Sequence, residues 1–161
     1  MTIRDEAAAD RDAVHSVNVD AFGRPDEAEL IENLRAEGAV LCSLVAEEHG
    51  RVVGHILFTR MWVDAIPAVA LAPMAVLTQY QRKGVGQLLV HRGLDFLRER
   101  GERIVIVLGH PRYYPRFGFS VEMARDLESP FPPEAYMAME LQPGALAGIR
   151  GKVRYAAAFG L

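Results

Sequence analysis

Between Leu71 and Arg100 the chain reads LAPMAVLTQYQRKGVGQLLVHRGLDFLRER. Its chemistry lies in the middle: Arg82 and Lys83 side by side, then Gly84-Val85-Gly86, then an amphipathic run. That order predicts a strand ending near Val76, a polar turn, a glycine turn and a helix opening at Val85. Such a junction aims unpaired helix amides and the positive end of the helix dipole over the carboxyl end of a strand, which suits an anion. The two cations at the mouth add to the attraction, and a phosphate-bearing molecule is the expected occupant. A Walker A loop needs GxxxxGK[ST], which the chain lacks. A Rossmann fingerprint needs a third glycine where Leu89 stands, and an acidic residue after the next strand, where Gly109 and His110 stand. Both dinucleotide readings weaken.

The elements that hold this junction follow from local patterning. Ile3-Arg4 reads as a short first strand. Asp10 is placed to cap a helix carrying Ala13, Val14, Val17, Ala21 and Phe22 and ending at Gly23. Asp26 is placed to cap a second helix with Leu30, Ile31 and Leu34 on its apolar face and Gly38 as its stop. Val40 to Glu47 and Arg51 to Met61 read as strands joined in an antiparallel hairpin by Glu48-His49-Gly50. Asp64 to Pro67 reads as a turn, and Ala68 to Val76 as the strand feeding the glycine loop. Pro73 inside that strand cannot donate to a ladder, so it predicts an edge, a bulge or a splayed pair.

The helix from Val85 to about Arg100 shows Val85, Leu88, Leu89, Phe96 and Leu97 on one face, with Gly93 permitting close approach. Ile104 to Leu108 reads as a strand buried on both faces, parallel to its predecessor. A short helix over Arg112–Phe117, a proline-rich surface connection over Leu127–Glu134, a strand over Tyr136–Leu141 and a last strand over Lys152–Ala156 complete the chain. No repeat or domain boundary interrupts it, so 1–161 is read as a single domain, within the usual size range.

Half the 161 residues are hydrophobic and 24% are charged, ordinary for a soluble globular protein. Asp plus Glu (21) against Lys plus Arg (18) gives a net charge of −3, which disfavours a nucleic-acid partner. The N-terminus has no apolar leader and no apolar run reaches membrane-span length, so no membrane partner and a cytoplasmic location are expected. Cys42 is the only cysteine, in the apolar setting VLCSLV, and is expected to be a buried structural thiol. The five histidines show no metal-ligand spacing, so no metal is expected.

Gln81-x-x-Gly84-x-Gly86 resembles the Q/R-x-x-G-x-G/A signature of GNAT-superfamily N-acetyltransferases. Tyr114-x-x-Phe117-Gly118-Phe119 resembles the Y-x-x-[LF]-G-F ending of that family's last conserved motif. The runs VLGHPRYYPRFGF and PPEAYMAMELQPGALAGIRGKV are similar to its YhbS-like branch. The resemblance spans most of the chain. It implies an α/β GNAT fold, with a mixed, mostly antiparallel central sheet splayed at a β-bulge and flanked by helices. It also implies acetyl-CoA as cosubstrate. By that likeness the loop Gln81, Arg82, Lys83, Gly84, Val85, Gly86 and Gln87 holds the coenzyme diphosphate. The backbone of Met74, Ala75 and Val76, freed by the bulge, binds the pantetheine arm and offers an oxyanion donor. Gln81 stands where arginine is common, and His110-Pro111 stands in a region where other members carry an asparagine.

The resemblance puts the Tyr114 hydroxyl near the coenzyme sulfur, as catalytic general acid. A phenol of pKa about 10 can protonate a departing thiolate whose conjugate acid has a pKa of about 8.5. Tyr113, about 100° away on a helix, is not expected to substitute. The implied reaction is transfer of an acetyl group to a primary amine by direct attack in a ternary complex. The acceptor is a small molecule or a peptide amine. A general base is needed, and Glu29, Glu32, His55 and His110 are all open, with solvation or packing the simpler reading for each. Met61 and Trp62 are open between the acceptor side and the core. Two competing readings are a non-catalytic acyl-CoA-binding sensor and a nucleotide-binding domain. A sheet edge near the C-terminus leaves room for a homodimer.

Overall fold

A computed structural model describes residues 1–161. Strands β1 (Thr2–Asp5), β2 (Val40–Glu48), β3 (Arg51–Val63) and β4 (Ile66–Val76) form an antiparallel series. Strand β5 (Ile104–Leu108) then runs parallel to β4, and β7 (Tyr136–Glu140) closes the far edge antiparallel to β5. The short strands β6 (Leu127–Glu128) and β8 (Gly151–Arg154) pair in parallel, and β8 joins the end of β3 through Trp62 and Val63. The expected mixed, mostly antiparallel sheet is present, flanked by helices α1 (Arg11–Phe22), α2 (Asp26–Ala36) and α3 (Val85–Glu99).

Local chemistry explains most of these boundaries. The β2–β3 hairpin closes through His49 and Gly50 at φ 51° and 75°, the left-handed pair a tight two-residue turn requires. The next turn is tighter than expected: Asp64 (φ 50°) and Ala65 suffice, and Pro67 already pairs with Trp62. Neither predicted aspartate cap operates. Asp10 precedes α1 without capping it, because its carboxylate is occupied by the Arg4 guanidinium (2.7 and 3.0 Å) and the Ala7 amide (2.7 Å). Asp26 is already the first residue of α2. The stretch read as a plain surface connection carries β6, which is too short for any periodicity to reveal.

The register between β3 and β4 slips between Ile56–Met74 and Phe58–Leu71, with one residue skipped on β3 and Ala72-Pro73 on β4. This is the bulge that Pro73 predicts. Beyond it β4 and β5 part company: only Val69–Val105 and Ala70–Ile106 are in register. The final residues of β4 therefore face an opening on their β5 side.

Successive β3 residues look to opposite faces. Gly54 faces Val85 and Leu89 of α3, whereas His55 faces Asn18 of α1, so α3 covers one face and α1 with α2 the other. The buried stripe of α3 is Val85, Leu89, Gly93 and Leu97, flanked by Val90 and Leu94. Leu88 lies off that four-residue row and is 48% exposed, contrary to expectation. Gly93 does permit close approach: a Cβ there would stand 2.2 Å from Phe58 Cε2, inside a ring that is fully buried. Gly93→Ala is expected to cost about 1–3 kcal/mol by overpacking. Urea unfolding measures this, and the added change Phe58→Leu should recover part of the loss. No helix is long and apolar enough to cross a membrane.

Candidate active site

The glycine junction folds as its residue types dictate. After β4 a 3-10 turn (Thr78–Tyr80) is pinned to α1, because Asp20 Oδ2 accepts from the Thr78 amide (2.9 Å) and hydroxyl (3.0 Å). The chain then passes through left-handed Arg82 (φ 63°) and Gly84 (φ 85°) into α3. Gly84 is the N-cap and has no side chain to satisfy the first turn. The amides of Val85, Gly86 and Gln87 precede the first intrahelical bond, Leu88 N to Gly84 O at 3.2 Å, and so remain open to a ligand. Alternating left-handed residues ahead of a helix make an anion-receiving concavity.

That concavity is one wall of a cleft of about 550 Å³. Of the ten residues predicted to bind a cofactor, Met74, Ala75, Val76, Gln81, Arg82, Gly84, Val85, Gly86 and Gln87 line it. Lys83 does not; its ammonium turns to the Tyr80 ring, 5.7 Å from the centroid. The Gln81 side chain turns to the strand, Nε2 donating to the Val76 carbonyl at 3.0 Å. Leu77 N donates to Val53 O, so alternation along β4 sends the Ala75 N–H toward β3 and the Met74 and Val76 N–H groups toward the opening. Uncapped helix amides and free strand amides thus share one cavity.

Five residues outside the predicted set line the cleft as well: Ala21, Phe22, Tyr80, Tyr113 and Arg116. Phe22 falls on the apolar spacing of α1 but is 39% exposed, because the end of α1 overhangs the cleft. The segment expected as a helix from Arg112 is a 3-10 turn of Tyr114–Phe117, with Tyr113 as its N-cap (φ −99°, ψ −55°). The Tyr113 ring swings toward α3, where its hydroxyl stands 2.8 Å from the point a Gly86 Cβ would occupy. The doublet RYYP is the signal for it, since two adjacent tyrosines must leave a turn in different directions.

Tyr114 is not in the cleft wall. Its ring packs at the end of β5, where a Gly109 Cβ would meet Cε2 at 2.3 Å, and stands edge-on to Tyr113 (5.1 Å) and Phe119 (5.8 Å). Burial, with the neighbouring Tyr113, pushes its phenol up to about 12, and burial also raises Tyr113. Cys42 is buried and its thiol is pushed up to about 12, chiefly by desolvation, so it is no nucleophile.

No carboxylate or imidazole lines the cleft. Glu29 is exposed, and Glu32 is taken by Arg35 Nη1 at 2.7 Å. His110 is exposed, its Nδ1 accepting from the Arg112 amide at 3.2 Å. His55 is fully buried beneath α1. Met61 belongs to the core, and Trp62 lies under the Arg154 guanidinium (4.2 Å) beside Pro67, at the opposite end of β4 from the glycine loop.

Residues 9–119 match the family model described as the acetyltransferase (GNAT) family. The chain is 34% identical over 160 residues to YhbS, an uncharacterized N-acetyltransferase of Escherichia coli, covering 96% of each chain. A crystal structure of Escherichia coli YhbS in complex with CoA superposes with a TM-score of 0.93 at 33% identity, covering 99% of this chain and 92% of that one. A GNAT-family acetyltransferase from Brucella melitensis in complex with acetyl-CoA superposes with a TM-score of 0.84 at 33% identity, covering 98% and 97%.

Proposed function

This chain belongs to the acetyltransferase (GNAT) family, and from that premise we propose that it transfers an acetyl group from acetyl-CoA to a primary amine by direct attack in a ternary complex. The observation that carries the reading is the single cleft in which the uncapped start of α3 and the open edge of β4 meet. The first suits a diphosphate and the second suits an extended arm bearing amides of its own. Two solved relatives of similar sequence hold CoA or acetyl-CoA.

In this reading the amides of Val85, Gly86 and Gln87 bind the diphosphate, with Arg82 supplying charge at the mouth. The Met74 and Val76 amides take the pantetheine as an added strand, and one of them donates to the carbonyl oxygen as negative charge develops there. The amine nitrogen forms its bond to the carbonyl carbon while the carbon–sulfur bond breaks. The nitrogen loses a proton to solvent or to the acceptor side, and Tyr114 gives a proton to the leaving thiolate. Cys42 takes no part, which favours direct transfer over an acyl-enzyme.

Calorimetric titration with CoA, ATP and NAD tests the cofactor assignment. CoA is expected to bind at least tenfold more tightly than either nucleotide, because only it fills both ends of the cleft. Preferential binding of ATP or NAD overturns the reading.

A further inference from the structure

We propose that Tyr113 is a ligand for the coenzyme's diphosphate, donating its hydroxyl alongside the helix amides, and that Arg116 is the residue that holds it there. This rests on the cofactor reading above, and deepens it by adding a residue that lies outside the glycine loop.

Three observations converge. The Tyr113 hydroxyl lies against Gly86, the second residue of α3, so close that no side chain fits between them. It therefore stands over the amides that would receive the anion. The hydroxyl has no hydrogen-bond partner within the chain: only burial and the nearby Arg116 bear on its ionisation. A half-buried donor that lines the cleft unpaired is poised for a ligand acceptor. The ring is also not free to wander. The Arg116 guanidinium lies 4.6 Å from the ring centroid, and its Nε donates to the Tyr113 carbonyl at 2.9 Å. Phe117 flanks the ring edge-on at 5.4 Å. Arg116 is itself in the cleft wall, so the group that fixes the phenol also raises the local positive potential.

The alternative is that Tyr113 merely plugs the cleft and must swing away when a ligand enters. The two predict opposite results. Tyr113→Phe keeps the ring and its packing and removes only the unpaired oxygen, so thermal unfolding should be unchanged. The variant should bind CoA about tenfold more weakly, as expected for a lost hydrogen bond to a charged group. Its affinity for S-acetylpantetheine, which carries the thioester arm but no diphosphate, should stay within a factor of two. Arg116→Ala should show the same selectivity for the ligand that bears the diphosphate. Unchanged or tighter CoA binding by Tyr113→Phe, or an equal loss for both ligands, overturns the proposal. Failure of the unsubstituted protein to bind CoA would instead overturn the cofactor reading on which it rests.

Discussion

Tyr114→Phe is expected to slow acetyl transfer by on the order of 100-fold or more while leaving CoA affinity within a factor of about two. The phenyl ring is retained, so its packing on Gly109, Phe117 and Phe119 survives and the fold with it. What disappears is a proton donor. With its phenol pushed up to about 12 by burial, Tyr114 stays protonated through the physiological range, so it always has a proton to give. The same shift makes the donation uphill against a thiol of pKa about 8.5, so the transfer must accompany the breaking bond, where the sulfur is most basic. Initial rates of CoA release with a competent amine, set beside calorimetric affinity, separate the two effects. An unchanged rate removes Tyr114 from the chemistry. Loss of rate and affinity together would make it a binding residue, and no turnover by the parent protein with any amine would favour a sensor.

The second large effect concerns stability. His55 is fully buried between α1 and β2. Its Nε2 meets Ser43 Oγ at 2.9 Å, and Ser43 in turn donates to Glu6 Oε1 at 2.7 Å. Glu6 is also paired with Arg35, and Asn18 Nδ2 stands 3.4 Å from the other ring nitrogen. Because Ser43 spends its proton on Glu6, the imidazole bears hydrogen on Nε2 and accepts at Nδ1. Desolvation pushes its pKa down to about 4, a shift that the charge of Glu6 opposes and that of Arg35 assists. The sign follows from linkage. The unfolded chain, titrating near the ordinary value of about 6.5, binds the proton first, so stability is fully present above that value and is lost as pH falls toward 4. The total is about 3 kcal/mol, at about 1.4 kcal/mol per pH unit. Urea unfolding at about pH 6.5 and about pH 5 should show a loss of about 2 kcal/mol, and His55→Gln should flatten that difference whatever its effect at neutral pH. Equal slopes in the two proteins would refute the assignment.

Parts of the fold were legible because their signals are local and strong. Gly84 and Gly86 ahead of a helical stripe, the proline in β4, and the β-branched run Ile104–Leu108 each impose one geometry on the backbone. The nine predicted residues that line the cleft fall on the end of β4 and the adjoining glycine junction, two short runs close in the chain, which is why a sequence pattern sufficed to gather them. Side-chain direction was not legible to the same degree. Lys83 and Gln81 have the right types for a phosphate loop, yet one turns to Tyr80 and the other caps Val76. Tyr113 reaches the cleft because it is the N-cap of a 3-10 turn and not a residue of the expected helix, a placement its type and spacing do not reveal. Phe22 has the spacing of a core residue, and only the overhang of α1 exposes it. Strand β6 owes its existence to a partner far along the chain, and two residues carry no period of their own.

The parting of β4 from β5 has a mechanical meaning. Two registered residue pairs are the whole backbone seam between the four-stranded half of the sheet and its β5–β7 half. The seam stops at Ala70, and beyond it Met74, Ala75 and Val76 line the cleft. An extended molecule lodged there with amides of its own would lengthen the stitching on the β4 side, stiffening one half against the other without any rotamer change. In such a frame the occupant is part of the joinery, and slowed amide exchange on both sides of the notch would be the trace it leaves.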